Sequence, residues 1–263
     1  MQTGGIRVID DFIAAAEAAA DVAAVVVRPF FRAGLAADLK SDASPVTIAD
    51  RSAELAMRGV LSQRFPDHTV SGEEFGALNP GQRYRWVLDP IDGTRAFITG
   101  RPQFGTLIAL LDGDTPIVGI IDQPITRERW IGAAGRATVF RGEFGRAGCR
   151  PCASLAEAEL SCTSPQIYAG DAPRWQNLVG QVRRTRFGGD CYAYGLVALG
   201  QIDVIAEATM QVWDWAALVP VIQGAGGSVT DWDGEPLRLD GDGRVLVLGD
   251  PTLLAQAKAA LAA

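Results

Sequence analysis

Four groups of acidic residues in this 263-residue chain stand where carboxylate chemistry is feasible. Glu73-Glu74 closes a strand-like run and precedes Phe75-Gly76. Asp89-Pro90-Ile91-Asp92-Gly93-Thr94 directly follows another such run, Arg85-Trp86-Val87-Leu88. Asp214 lies between Trp213 and Trp215 at the expected start of a helix, and the fourth group is Lys40-Ser41-Asp42 with Thr47 and Asp50. In D-P-I-D-G-T, proline fixes φ and glycine permits a bend, so the segment reads as a rigid loop. Asp89 and Asp92 stand three apart across that bend, so both carboxylates can point into one site. The Ile91 carbonyl can turn the same way. Gly93 and Thr94 offer backbone N–H groups to an anion, more so if a helix begins there. Hard oxygen donors without His or Cys select Mg2+ or Mn2+ over zinc. Each acid also has a plainer explanation: Asp214 as a helix N-cap, Glu73-Glu74 as a solvated turn. The combination favours chemistry, because three acidic sites each fall at a strand end or a helix start.

Composition narrows the partners. Hydrophobic residues make up 48% and charged residues 21%, an ordinary globular balance. The net charge is -7, with no basic run, which argues against a nucleic-acid ligand. An acidic protein that binds an anion needs a local positive charge, and metal ions supply one. No window of about 18 residues is free of charge, so no membrane span is expected. Residues 8–34 carry Asp10, Asp11, Glu17, Asp21, Arg28 and Arg32, unlike a targeting segment, and a cytoplasmic protein is expected. Cys149 and Cys152 form a C-R-P-C pair without a second pair, and the one histidine, His68, is far off in sequence. Incidental thiols in a reducing compartment are expected rather than a zinc or redox site.

The elements that must position these acids follow from periodicity. Residues 8–34 and 50–65 read as amphipathic helices. Strands are expected from His68 to Val70, over Arg85–Leu88 until D-P-I-D-G-T halts them, and as a meander at 106–111, 116–122 and 129–133. A hairpin-like finish covers 139–145. Beyond about residue 148, strands at 159–162, 184–187 and 204–206 alternate with helices at 174–182, 192–199 and 214–224. The expected organisation is an α+β half with an antiparallel sheet over residues 1–147, holding most metal ligands. An α/β half over 148–263 holds the pocket and the last ligand. Gly224–Gly227 reads as a helix-to-strand turn, since it lacks the Lys-Ser/Thr ending of a phosphate loop.

The segments S-G-E-E-F-G, W-V-L-D-P-I-D-G-T-R-A-F and V-W-D-W-A-A-L-V-P-V-I-Q-G-A-G-G-S-V-T-D resemble the signatures of the inositol monophosphatase superfamily, in order and spacing, over nearly the whole chain. The resemblance implies the layered αβαβα sugar-phosphatase sandwich and a homodimer. It implies two to three Mg2+ ions per subunit, with Mn2+ able to substitute. Glu73, Asp89 and the Ile91 carbonyl would hold one ion, Asp89, Asp92 and Asp214 a second, and Glu73 a weaker third. Thr94 and Glu73 would orient the attacking water. Lys40, Thr47 and Asp50 match the loop that supports the site. The implied reaction is hydrolysis of a small phosphate monoester by metal-activated water, without a covalent phosphoenzyme.

Two features bear on the substrate. Relatives acting on inositol phosphates commonly read D-P-[LI]-D-G-T-T-N-F, whereas this chain reads D-P-I-D-G-T-R-A-F. The run R-F-G-G-D-C-Y-A-Y-G-L-V-A-L-G-Q-I-D-V-I-A-E resembles the histidinol-phosphatase branch, and inositol enzymes usually carry a small residue where Asp190 falls. A substrate with an ammonium group and an imidazole calls for carboxylates beyond the metal ligands, and Asp190 and Glu207 are the candidates. Their plainer readings are a helix N-cap and a solvated strand end. Gly189 adjoins Asp190, Tyr192 or Tyr194 could stack on the imidazole, and Arg186 could reach substrate or phosphate across a dimer interface. Arg95 is left as either a substrate contact or a brace for its loop. Histidinol phosphate is therefore the expected substrate. The rivals are an inositol or sugar phosphate, or a silent binding protein of the same fold.

Overall fold

The computed structural model describes residues 3–33, 38–39, 45–46 and 48–262. Lys40, Ser41, Asp42 and Thr47 therefore lie outside the described residues. Helix α1 (Thr3–Val27) and helix α2 (Ile48–Arg64) flank a short antiparallel ribbon of β1 (Asp38–Leu39) and β2 (Pro45–Val46). Then come β3 (Thr69–Gly72), β4 (Tyr84–Asp92), the short helix α3 (Thr94–Ile98), β5 (Gly105–Asp112), β6 (Thr115–Gln123), β7 (Glu128–Ala133) and β8 (Val139–Arg141). These six strands form one sheet in chain order, with β3 parallel to β4 and every later pair antiparallel.

The remaining elements are β9 (Glu159–Cys162), α4 (Ala172–Val179), β10 (Arg184–Phe187), α5 (Asp190–Val197), β11 (Val204–Glu207), α6 (Val212–Trp215), α7 (Leu218–Gly224), β12 (Ser228–Thr230), β13 (Val245–Leu248) and α8 (Leu254–Ala262). The second sheet runs β10-β9-β11-β13-β12, parallel across its first three strands and antiparallel thereafter.

Strand residues alternate between two dry faces, and this alternation builds the layers. Trp86, Leu88, Ile108 and Leu110 pack against α1 and α2, whereas Val87, Leu107, Ala109 and Leu111 pack against α5, α6 and α7. Ile205, Val245 and Val247 meet the same three helices from the second sheet. Val204, Ala206, Leu246 and Leu248 face outward to Trp175, Leu178, Ala257 and Leu261 of α4 and α8. The order helix, sheet, helix, sheet, helix is the expected αβαβα sandwich. Among the described residues, no helix is long and apolar enough to cross a membrane.

Four local expectations change. The first helix stops at Val27, and a 3-10 turn with Pro29 follows, because proline disfavours helical geometry in the residue before it. The helix expected over 214–224 is two pieces. Pro220 cannot donate an N–H to Ala216 and crowds that carbonyl, and the break falls at Ala216-Ala217. The expected hairpin at 139–145 is a single strand, β8, added to the sheet edge. Finally β4 runs through Asp92 instead of stopping at Leu88. Pro90 is tolerated there because pairing with β3 ends at Leu88, and a register shift between Asp89 and Asp92 loosens pairing with β5.

Glycines let the layer between the sheets approach closely. Gly119 of β6 pairs with Gly132 of β7. A Cβ on Gly119 would fall 2.1 Å from the Ala217 carbonyl oxygen, and one on Gly132 would fall 2.3 Å from the Pro220 carbonyl carbon. The backbone of α6–α7 thus rests directly on the sheet, which fixes where Asp214 stands. Gly132→Ala is expected to cost about 1–3 kcal/mol from overpacking, read as a lower guanidinium midpoint at unchanged m-value.

Candidate active site

The end of β4 and the start of α3 carry the first acids. Asp89 is 1% exposed. The Ile91 N–H donates to Asp89 Oδ1 at 3.1 Å, the Thr106 hydroxyl donates to the Pro90 carbonyl at 2.7 Å, and Thr94 Oγ1 donates to the Ile91 carbonyl at 3.1 Å. The loop is therefore rigid, as its proline and glycine imply. Gly93 sits at φ +86° and precedes the first turn of α3, whose N–H groups have no partner inside the helix.

Asp214 arrives from the opposite layer. It is the third residue of α6, not its N-cap: Gln211 holds that position, and Asp214 accepts its N–H at 2.7 Å in a capping box. Asp89, Asp92 and Asp214 each offer an oxygen within 4.8 Å of the others. Glu73 stands outside this trio. Its N–H is held by the Leu88 carbonyl at 3.1 Å, beside Asp89. Asp50 is buried on α2, and its charge also reaches Asp89.

The strand end and α5 interlock. Asp92 Oδ2 accepts the Cys191 N–H at 2.5 Å. A Cβ on Gly93 would lie 2.9 Å from the Asp190 side chain, so glycine is required there by space as well as by φ. Asp190 is the first residue of α5 at φ +40°, with Gly189 as the N-cap, which replaces the N-cap reading of Asp190. Such a strained backbone at a non-glycine residue is the kind found at binding sites. Glu207 is 5% exposed and accepts the Thr163 N–H at 2.6 Å, so it is no solvated strand end. A cavity of about 180 Å³ is lined by Asp92, Asp190, Glu207 and Asp214 together with Tyr194 and Ile167.

Sequence reasoning did not single out Thr163, Ile167 or Met210, which also line this cavity. The signal was available for the first two. They follow β9 at the carboxyl end of a parallel strand, where α/β sheets open their clefts. Of the two candidate tyrosines, Tyr194 lines the cavity. Tyr192 instead donates its hydroxyl to Glu128 at 2.7 Å and sits edge-on to Trp130. Arg95 is exposed, and its charge partly offsets that of Asp190. Within one protomer, Arg186 is exposed and lines a different cleft, with Arg150 and Arg184. All four cysteines are free thiols. Burial pushes Cys149 up to about 11 and Cys162 up to about 12, so neither is a ready thiolate.

Burial and mutual repulsion raise the carboxyl groups of this site. Asp89 is pushed well above the carboxylate range by burial, then by Glu73, Asp92, Asp214 and Asp50. Burial likewise pushes Asp92, Asp214 and Asp190 up to about 7 and Glu207 up to about 8. Among the described residues, no Lys or Arg forms an ion pair with Asp89, Asp92 or Asp214. Hard oxygen donors crowded in this way fit a divalent cation such as Mg2+ or Mn2+, which relieves the repulsion.

Known proteins share the sequence and fold of this chain. A family model described as the inositol monophosphatase family matches residues 9–262. The chain belongs to the inositol monophosphatase family. It is a phosphatase of a metal-dependent family that acts on small phosphate-bearing molecules. The chain is similar to the bifunctional phosphatase IMPL2 of Arabidopsis thaliana, 46% identical over 86% of this chain and 66% of the plant protein. It is 40% identical to the histidinol-phosphatase of Mycobacterium tuberculosis, over 85% of this chain and 88% of that one. Among solved structures, an inositol monophosphatase from Zymomonas mobilis superposes with a TM-score of 0.88 at 46% identity, covering 97% of this chain and 98% of that one.

The raised carboxyl groups dictate how the metal-free protein responds to pH. Because the folded state holds protons that the unfolded chain releases near pH 4, the metal-free fold loses stability as pH rises through about 7 to 8. In EDTA, the melting temperature is expected to fall steadily from pH 5 to pH 8. Millimolar Mg2+ should restore it most at the upper end, as differential scanning fluorimetry can show.

Proposed function

We propose that this phosphatase hydrolyses L-histidinol phosphate to L-histidinol and phosphate, a step of histidine biosynthesis. One observation carries the reading: Asp190 and Glu207 share a cavity with Asp92 and Asp214. Two buried acidic side chains beyond the metal set ionise more readily beside a positive charge, so they favour a substrate that carries one. The ammonium group of histidinol supplies that charge, and its imidazole fits beside Ile167 and Tyr194. Similarity to the mycobacterial histidinol-phosphatase supports the same substrate.

In this reading Glu73, Asp89 and the Ile91 carbonyl hold one Mg2+, Asp89, Asp92 and Asp214 a second, and Glu73 a weaker third, with Mn2+ able to substitute. Ions held there would supply charge to neutralise phosphoryl oxygens and would make bound water acidic. The protein's own groups do the rest. Gly93 and Thr94 present N–H groups to the phosphate, and Thr94 and Glu73 orient the attacking water. Asp50 supports the cluster from behind. Asp190, presented by Gly189, and Glu207 bind the ammonium end. Residues 1–147 thus supply most metal ligands, and residues 148–263 supply the pocket and the last ligand. The enzyme works as a cytoplasmic homodimer, in which Arg186 reaches toward the partner subunit's site.

Inositol 1-phosphate is the second reading, favoured by the 46% identity to the inositol monophosphatase structure. Phosphate release from the two substrates, in Mg2+ and in EDTA, separates them. Histidinol phosphate is expected to turn over with the higher kcat/KM, and activity should vanish in EDTA. Preference for inositol 1-phosphate would overturn the substrate assignment. Asp190→Ala should raise KM for histidinol phosphate about 10- to 100-fold, the worth of a charge-assisted hydrogen bond. An unchanged KM would remove Asp190 from the pocket.

A further inference from the structure

Glu54 and Arg58 belong to no part of the chemistry described above, yet they grip the turn that carries Glu73. Both stand on α2, one and two helical turns after Asp50, so all three residues share one helix face. The Glu54 side chain is 0% exposed, and Arg58 is 11% exposed. Each carboxylate oxygen of Glu54 has a defined partner. Oε1 accepts from Arg58 Nε at 2.7 Å, and Oε2 accepts the Glu74 backbone N–H at 2.8 Å. The Arg58 guanidinium then spans the turn. It donates to the Val70 carbonyl at 3.0 Å before the turn, and to the Phe75 and Gly76 carbonyls at 2.7 Å and 3.0 Å after it.

The turn is shaped to receive this pair. A Cβ on Gly72 would lie 2.5 Å from the Glu54 carboxylate, so S-G-E-E leaves the space that the buried acid fills. On its other side the turn is tied to β4, through the Glu73 N–H and the Leu88 carbonyl at 3.1 Å. Glu73 is therefore clamped between β4, which carries Asp89, and α2, which carries Asp50. A buried carboxylate that satisfies a loop amide and an arginine fork at once is costly to assemble, and removing either partner strands the other. Burying an ion pair here brings little stability by itself, so its value lies in fixing the geometry of the turn.

We propose that Glu54 and Arg58 are positioning residues that set the Glu73 turn against the metal cluster, so that α2 governs metal affinity without touching the metal. The proposal rests on the reading of Glu73 as a metal ligand. Residues that orient metal ligands in this way typically change affinity 10- to 100-fold when altered. Glu54→Gln keeps the shape and loses the charge, while Arg58→Lys keeps the charge and loses the fork.

Direct Mn2+ binding, followed by electron paramagnetic resonance of the free ion, reads the effect without turnover. Both variants are expected to raise the Mn2+ dissociation constant about tenfold or more. Both should also speed amide hydrogen exchange in the peptide covering residues 72–77. Arg83→Lys, which alters an exposed ion pair with Asp112, should change neither. Glu73→Gln tests the underlying reading in the same assay. If Glu73→Gln binds Mn2+ like the parent, the ligand assignment fails and the clamp falls with it. If Glu73→Gln weakens binding while folded Glu54→Gln and Arg58→Lys match the parent, the assignment stands and the clamp is overturned. Should Glu54→Gln fail to fold, Arg58→Lys and the exchange rates decide.

Discussion

Like charges resist being gathered in a dry place, and this protein gathers them. Asp89, Asp92 and Asp214 present oxygens within 4.8 Å of one another, with Asp89 1% exposed. Every neighbouring device can be understood as holding that arrangement. The shifted register at the end of β4 turns Asp89 and Asp92 to one side. The capping box of α6 fixes Asp214, and the amide of Cys191 takes one oxygen of Asp92. The facing glycines Gly119 and Gly132 let the α6–α7 backbone reach the sheet. The Glu54–Arg58 pair grips the turn that carries Glu73. A divalent cation held there would turn the repulsion into affinity.

The acids divide by environment. Asp89, Asp92 and Asp214 face one another, whereas Asp190 and Glu207 line a small cavity that Asp92 and Asp214 also border. Burial raises both sets, but the reason for keeping each set differs. The first set fits a metal, and under the proposed function the second would meet a cationic substrate group. Family membership follows from the first set together with the match over residues 9–262. The proposed choice of substrate rests on the second set, where a family resemblance says least. Function is thus written on top of the fold, in a few side chains that the fold brings to one opening.

Much of the layered fold was legible because strand and helix periods are strong where both faces of an element are dry. The strands over 159–162 and 184–187 match their expected bounds, and α2 begins only two residues before its expected start. The errors have local causes. β4 was expected to stop before Pro90, since a proline in a paired strand is unfavourable, but β3 has already left its side of the strand. Asp214, read as a metal ligand, had a helix cap as its plainer alternative because aspartate favours that place. The helix in fact starts two residues earlier, and Gln211 takes the cap. Glu207, read as a pocket carboxylate, had a solvated strand end as its plainer alternative because glutamate is usually exposed. Its burial is eased by the Thr163 amide, 44 residues away.

By itself the sequence determined the donor chemistry: hard oxygen ligands, a rigid D-P-I-D-G-T bend, and no thiol or imidazole cluster to bind a softer metal. Composition and short-range spacing suffice for that, since ligand type and local backbone stiffness are properties of neighbouring residues. The tertiary structure alone decided which acids meet. Asp190 rests against Gly93, Asp214 arrives just ahead of a backbone stretch that lies over two glycines, and Glu54 reaches a turn 20 residues away. Those meetings depend on backbone approach and on burial, which arise only when distant segments pack together. No spacing in the chain encodes them.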